Sequence, residues 1–286
     1  MAHGLVVSWG RSSVIEWRRL TGEAGSQSQS VAKPSMKRDR DEQSMTGVPM
    51  KTEPGSSSLL LPLAACVVIA VVALAVPAIV GKTTIWIFLP GFFTESILLI
   101  CSLALIAWVS KCNFAAFGFT RGTFRLSARI FLWLLPMAAI STVQLIGSPT
   151  GAGTNGPGMG GNSSPVAIVL TIWIYASICE EILARGLLQS WLATLTRRQF
   201  RVLKGNVSAP VLAGASFFAG MHVVLWPRLG PATLVVMLLA GGLGLVAGTY
   251  RERTGSLIPA ILVHGFFDVG GTVPFWVSAW LRHGHI

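Results

Sequence analysis

Long apolar runs separated by short polar segments dominate the chain from residue 58 onward. A helix needs about 20 mostly apolar residues to cross a bilayer. Runs of about this length lie at 58–80, 84–110, 130–147, 165–195, 207–226, 231–249 and from Leu257 onward. Gly270 and Gly271 precede a last apolar stretch, Val273 to Leu281, which is short for an eighth span. Because backbone in lipid must satisfy its own hydrogen bonds, the pattern predicts an all-α polytopic transmembrane bundle of about seven or eight helices.

The segment before the first apolar run differs in character. Residues 1–57 are polar, mixed in charge and rich in Ser, Gly, Lys and Arg. Such a composition cannot bury enough apolar surface to fold by itself, and no apolar stretch follows Met1 as it would in a signal peptide. The sequence therefore predicts a disordered cytoplasmic tail at 1–57 and a membrane-embedded domain at 58–286.

Composition and charge agree with a membrane protein. Of the 286 residues 52% are hydrophobic and only 12% are charged, whereas a soluble domain has about 25% charged residues. The net charge of +11 would suggest nucleic-acid binding in a soluble protein, but the Lys and Arg residues cluster in every second loop between the apolar runs. Positive loops stay on the cytoplasmic side. We therefore expect no nucleic-acid partner, and an N-terminus on the cytoplasmic side of a bacterial inner membrane.

A small set of ionisable side chains lies inside the predicted spans. Such groups are costly in lipid and are functional candidates by default. The set is Glu95, Glu180, Glu181, Arg185, His222, His264 and Asp268. All of them except Glu95 fall in the fourth, fifth and seventh runs. We therefore predict a site between these three helices, with Glu95 either a structural polar contact or a residue that lines the cavity.

The spacing of these residues indicates which side chains share a helix face. Glu181 and Arg185 are four residues apart and can pair. Such a pair leaves Glu180, about 100° around the helix, free of Arg185. His264 and Asp268 are also four residues apart. Phe218 lies one turn before His222 and can shield the imidazole from lipid.

These residue types suit hydrolysis. A glutamate near a reacting carbonyl can take a proton from water, and imidazole with a second polar side chain can donate hydrogen bonds to the developing oxyanion. Glu180, His222 and His264 also have the ligand types of a zinc site with an open position, in which the pKa of bound water falls to about 7. Direct catalysis by glutamate and catalysis by zinc both stay open, as does a structural network that locks the helices together.

Three short motifs resemble those of a known family. Glu180-Glu181-x-x-x-Arg185, Phe218-x-x-x-His222 and His264-x-x-x-Asp268 are similar to the motifs of the CPBP family. That family comprises type II CAAX prenyl endopeptidases, Abi proteins and lysostaphin-resistance-protein-A-like proteins. The resemblance covers about residues 165–271 and implies an intramembrane endopeptidase that cleaves near the C-terminus of its substrate.

The resemblance also implies roles for the motif residues. Glu180 would be the water-activating base and His222 its partner, while Glu181 and Arg185 would support Glu180. His264 and Asp268 would shape the oxyanion pocket or bind metal. The last motif residue of the family is often Asn, and an ionised Asp cannot donate the hydrogen bond that an amide can. We therefore expect Asp268 to orient His264.

Two other functions compete with the protease. A non-catalytic immunity or assembly factor would use the same polar cluster as a structural network. A small proton-linked transporter would use the carboxylates as a relay, but the sequence has no detectable paired halves of the kind common in transporters. The partners expected for the protease are a membrane peptide or protein substrate and the lipid bilayer, and the oligomeric state is left open.

Overall fold

The computed structural model describes residues 56–80, 91–124, 128–147, 165–202 and 205–283. The predicted tail at 1–57 lies outside these ranges, apart from Ser56 and Ser57 at the start of the first helix. The described part of the chain is helical apart from short connections and one small hairpin. The prediction of an all-α bundle is therefore confirmed.

Seven helices form the bundle within the described ranges. They are α1 (Ser56–Val80), α2 (Phe92–Ser110), α3 (Leu134–Gly147), α4 (165–195), α5 (Ala209–Met221), α6 (Ala232–Thr254) and α7 (Ile258–His283). The last apolar stretch is not a separate helix, because α7 continues through Gly270, Gly271 and Pro274. Gly270 instead permits close packing, since a Cβ atom there would collide with the backbone oxygen of Leu134 in α3.

Four described helices are long and apolar enough to cross a membrane. These stretches are Leu59–Pro77, Phe92–Ser110, Val166–Leu195 and Ala232–Thr254. The remaining predicted spans correspond to shorter apolar helices, at Arg129–Val143, Ala209–Leu225 and Ile258–Pro274. Large apolar side chains such as Trp108 (77% exposed) and Leu238 (76% exposed) lie on the outside of the bundle. A bilayer would cover such side chains, as the hydropathy of these helices requires.

Helix α4 lies at the centre of the bundle. Every residue from 181 to 190 is buried, although this stretch includes a glutamate, an arginine and a glutamine. Helices α5 and α6 pack against each other, α7 packs against α3 and α6, and α1 packs against α2. Helices α1, α2, α5, α6 and α7 all contact segments of α4. The central helix can therefore present different polar side chains to different neighbours.

The hydrogen bonding of α4 is irregular. The helix is α-helical at Pro165–Ile168, Ser177–Glu181 and Ser190–Leu195, and it is π-helical at Val169–Ala176 and Ile182–Gln189. π-helical turns are rare and often occur at functional sites. The two π-helical segments bracket the short α-helical turn that carries both glutamates. The apolar periodicity did not predict this irregularity, because apolar residues occur in α-helical and π-helical turns alike.

Two connections add structure that the hydrophobic pattern did not predict. The basic loop after α4 contains an antiparallel hairpin of β1 (Gln199–Val202) and β2 (Gly205–Ser208). The segment after α2 contains a 3₁₀ turn at Phe114–Phe117. It is joined to the α6–α7 connection by a hydrogen bond of 3.0 Å from the Leu257 N–H to the carbonyl oxygen of Gly118.

Candidate active site

Two adjacent glutamates of α4 occupy different environments. The side chain of Glu181 is fully buried, and its Oε1 accepts a hydrogen bond of 2.7 Å from Nη1 of the fully buried Arg185. The side chain of Glu180 is 20% exposed. The predicted pair between Glu181 and Arg185 is therefore confirmed. The neighbouring carboxylate points toward α7 and keeps partial access to its surroundings.

His264 of α7 lies among three carboxylates. Its Nδ1 is 3.0 Å from Oε1 of Glu181. On the other side of the ring, Nε2 is 3.7 Å from Oε2 of Glu180 and 3.6 Å from Oδ2 of Asp268. With the Nδ1–H donated to Glu181, Nε2 faces two acidic groups. A proton on Nε2 or on one of these carboxyl groups relieves the repulsion between a nitrogen lone pair and two anions.

Glu181 also has a neighbour that we did not predict. The family resemblance implied that Glu181 and Arg185 support Glu180, and we expected Asp268 to orient His264. The described hydrogen bonds of Glu181 go to Arg185 and His264. Its contact with His264 is also shorter than that of Asp268. The helical spacing could not reveal this contact, because it joins two helices.

Ser177 is a member of the cluster that the sequence analysis missed. This buried side chain lies one turn before Glu181 on α4, and its hydroxyl donates to Oδ2 of Asp268 over 3.3 Å. A serine in an apolar helix usually bonds to its own helix backbone, so its residue type alone did not indicate a role in the site. Its four-residue spacing from Glu181 was the available signal, since that spacing puts both on one face of α4.

Phe218 of α5 connects the remaining motif residues. The guanidinium carbon of Arg185 lies 4.5 Å from the centre of the Phe218 ring, which is a cation–π contact. The same ring meets the imidazoles of His222 and His264 edge-to-face, at centroid distances of 5.1 and 5.3 Å. The predicted contact between Phe218 and His222 is therefore confirmed, and the ring also packs on the buried Arg185.

His222 stands where α5 ends and a 3₁₀ turn, His222–Leu225, begins. Its Nδ1 is 2.8 Å from the carbonyl oxygen of Phe218. A carbonyl oxygen can only accept a hydrogen bond, so this contact requires a proton on Nδ1. In the neutral ring Nε2 is then the acceptor. This arrangement leaves one nitrogen of His222 able to bind the hydrogen of a water molecule.

The structure brings together most of the predicted site residues. Glu180, Glu181, His264 and Asp268 form direct polar contacts across α4 and α7. His222 is connected to this group through the Phe218 ring, and among the described residues it makes no polar contact with these four side chains. Within the same ranges, no group of three His, Cys, Asp or Glu side chains is arranged to hold a metal ion. Zinc at Glu180, His222 and His264 stays a prediction.

Glu95 lies on a turn of α2 that packs against α4. The turn of α2 that carries it is fixed to α4, because Ser96 Oγ is 2.9 Å from the hydroxyl of Tyr175. The ring of Phe92 also stacks on that of Tyr175 at 5.4 Å. Helix α2 also packs against the Ser177–Glu181 turn of α4, which carries both glutamates of the cluster.

Close helix packing holds this arrangement in place. A Cβ atom at Gly265 would lie 2.9 Å from the carbonyl oxygen of Trp173, so glycine lets α7 approach α4 directly beside His264. A Cβ atom at Gly244 would lie 2.8 Å from Cα of Ala215 and 3.1 Å from Nη2 of Arg185. Glycine at this position lets α6 cover both α5 and the buried guanidinium.

A comparison with known protein families matches the segment of the chain that contains this site. Residues 162–270 match the family model described as type II CAAX prenyl endopeptidase Rce1-like, in agreement with the CPBP resemblance. The matched segment contains all three motifs. No curated protein and no solved structure matches the chain. The apolar helices support an integral membrane protein, and its segment 162–270 is similar to the CAAX-type proteases.

Proposed function

We propose that this chain is an intramembrane endopeptidase that cleaves a membrane-associated peptide or protein near its C-terminus. The observation that carries the proposal is the cluster of Glu180, His264 and Asp268 inside the segment that matches a CAAX protease model. Glu180 is the partly exposed carboxylate of the cluster. It can therefore meet a water molecule and a peptide carbonyl, whereas the buried Glu181 is already paired.

The proposed reaction needs one base and one oxyanion donor. Glu180 takes a proton from water, and the water oxygen attacks the peptide carbonyl carbon. The carbonyl oxygen becomes an oxyanion that accepts a hydrogen bond from Nε2–H of His264. When the tetrahedral intermediate collapses, the C–N bond breaks and the proton on Glu180 passes to the leaving nitrogen. Nε2 of His222 accepts a hydrogen bond from the attacking water and orients it.

The remaining residues of the cluster position these groups. Glu181 fixes the ring of His264 through Nδ1, and Arg185 balances the buried charge of Glu181. Asp268 lies beside Nε2 of His264 and favours a proton on that nitrogen. The carboxylate of Asp268 is in turn held by the hydroxyl of Ser177.

Cleavage of a labelled peptide tests this proposal. We suggest the purified full-length chain in nanodiscs and two fluorescence-quenched peptides that end in Cys-aliphatic-aliphatic-X, one farnesylated and one not. We expect Glu180→Ala and His222→Ala each to lower the cleavage rate at least about 100-fold, as for loss of a general base or its partner. Arg253→Ala, at an exposed position near the end of α6, is the control and should cleave normally.

Several outcomes would change the proposal. Full activity in the Glu180→Ala variant would remove the role of Glu180. A rate that falls to background with a zinc chelator and returns with added zinc would replace direct glutamate catalysis by metal catalysis. Absence of cleavage, together with unchanged biological protection by a Glu180→Gln/His222→Ala double variant, would favour a non-catalytic immunity or assembly factor.

We also propose a bacterial inner membrane as the location, with the N-terminus and the basic loops in the cytoplasm. The support is the alternation of basic and non-basic loops along the sequence. The exposed Cys112, in the segment after α2, offers a direct test. A membrane-impermeant thiol reagent should label it in inverted vesicles and leave it unlabelled in spheroplasts.

A further inference from the structure

An apolar groove runs along α4 and α7. Its volume is about 540 Å³, within the range of roughly 300–1,000 Å³ that is typical of small-molecule sites. Ile258, the first residue of α7, is 40% exposed at one end of the groove, and Ile178 lies near the middle of the apolar stretch Val166–Leu195. The groove therefore extends from the end of a helix toward the middle of the bilayer. Its apolar walls include Ile178, Ile182, Ile258, Ile261 and Leu262.

The outer end of this groove carries positive charge. The segment from Gly118 to Arg121 borders it, and Arg121 is exposed and forms no ion pair with another described residue. The N-terminus of α7 lies at the same end, because Ile258 also lines the groove. The positive end of a helix dipole attracts anions. The guanidinium and the helix end together therefore favour an anion at the mouth of an apolar groove.

The segment that carries Arg121 is held in place by the α6–α7 connection. The N–H of Leu257 donates to the carbonyl oxygen of Gly118 over 3.0 Å. The hydroxyl of Ser256 donates to the carbonyl oxygen of Thr120, directly before Arg121. The backbone of Arg121 is therefore fixed at the groove, while its exposed side chain stays able to bind a ligand.

The groove is separate from the partly exposed carboxylate of the candidate active site. Side chains two residues apart on a helix point about 200° apart, so Ile178 and Ile182 do not share the face of Glu180. An occupant of the groove is therefore not aligned for attack by a water molecule on Glu180. A prenyl chain ends in an uncharged thioether, which gives Arg121 no anion to bind. A phospholipid has a phosphate directly beyond its acyl esters, and this suits both ends of the groove.

We propose that this groove binds one anionic phospholipid, with an acyl chain along α4 and α7 and the phosphate at Arg121. The inference goes beyond the proposed function, because it assigns a lipid ligand to a face that does not carry Glu180. Arg121 lies outside residues 162–270, so the family match assigns it no role. Lipid tails are as apolar as the groove, so the acyl chain contributes little selectivity. The headgroup decides which lipid is retained.

A lipid-retention experiment tests the role of Arg121. The purified full-length chain is stripped of lipid in detergent and given an equimolar mixture of phosphatidylglycerol and phosphatidylcholine with identical acyl chains. Native mass spectrometry measures the ratio of the two bound lipids. We expect the wild type to prefer phosphatidylglycerol and Arg121→Gln to reduce that preference about fivefold, as for one basic residue near a lipid surface. Arg201→Gln, at an exposed position on the hairpin, is the matched control and should keep the preference.

A second variant tests the groove itself. Ile258→Trp fills part of the groove from a partly exposed position and should lower the retention of both lipids, with the helical circular dichroism unchanged. The inference is overturned by unchanged retention in Ile258→Trp, or by equal preferences in the wild type and Arg121→Gln. Displacement of the bound phosphatidylglycerol by a farnesylated peptide would also overturn it and assign the groove to the substrate. None of these measurements depends on cleavage, so the roles of Glu180 and His222 are tested separately.

Discussion

Two faces of α4 carry polar side chains, and they differ in exposure and in partners. One face presents Glu181, Arg185 and Gln189, all buried; the amide of Gln189 donates to the carbonyl oxygen of Gly248 over 2.9 Å. The other face presents Glu180, which meets Asp268 and His264 of α7. The side chains of Glu180 and Asp268 are 20% and 22% exposed.

The difference in exposure separates the side chains that hold the site together from those that can take part in a reaction. A fully buried charge is tolerated only when it is paired, and the side chains of Glu181 and Arg185 have no exposed surface through which to meet a reacting molecule. A partly exposed carboxylate can meet water and exchange a proton. Neighbouring glutamates on one helix therefore have different capabilities because one side chain is partly exposed and the other is fully buried. The two faces meet at His264, which contacts Glu181 through one ring nitrogen and Glu180 through the other.

The largest effect is expected on the buried face. Arg185→Leu leaves Glu181 buried without its cation and should lower the free energy of unfolding by about 3–5 kcal/mol. Denaturant titration of the protein in detergent measures this change. Arg253→Leu, at an exposed position on α6, is the matched control and should stay within about 0.5 kcal/mol of the wild type.

A double variant sharpens this prediction. Arg185→Leu combined with Glu181→Leu removes both charges and should recover most of the lost stability, since a buried pair can often be replaced by apolar side chains. Cleavage should not recover, because His264 then lacks the acceptor of its Nδ1–H. If the double variant were as unstable as Arg185→Leu alone, the pair would not be the source of the instability.

A smaller effect is expected where α6 covers the buried face. Gly244→Ala places a methyl group against the backbone of Ala215 and against Nη2 of Arg185, and should cost about 1–3 kcal/mol of stability. Gly242 in the same helix has nothing within 4 Å of a Cβ position. Gly242→Ala should therefore be neutral or stabilise the helix by about 0.5–1 kcal/mol. Equal effects in both variants would contradict the close approach at Gly244.

The smallest effect is expected where a buried hydroxyl of α4 holds the partly exposed carboxylate of Asp268. Ser177→Ala removes the hydrogen bond to Asp268, worth about 0.5–1.5 kcal/mol, and should slow cleavage by about two- to tenfold with the fold intact. The control is Ser102→Ala on α2, because the buried hydroxyl of Ser102 has no partner among the described residues. A cleavage rate unaffected by Ser177→Ala would show that Asp268 does not depend on Ser177.

Much of the bundle was predictable because a helix that crosses a bilayer needs about 20 mostly apolar residues. Apolar runs predicted the helices, although the separate eighth span was not found, since glycines and Pro274 continue α7 without a break. The four-residue spacing predicted the pair of Glu181 and Arg185. The hairpin after α4 and the π-helical turns within it gave no apolar signal, since their stability depends on backbone bonding and packing that hydropathy does not record.

The sequence by itself determined that this is a membrane bundle with ionisable residues concentrated on three helices, because hydropathy and helical spacing are local properties. Only the tertiary structure decided that Glu181 contacts His264. It also decided that Phe218 packs on Arg185 and both histidines. The packing of α2 against the turn of α4 that carries the glutamates was likewise visible only in the structure. These contacts join residues far apart in the chain. They depend on the rotation and separation of neighbouring helices, which glycines such as Gly265 set by permitting close approach.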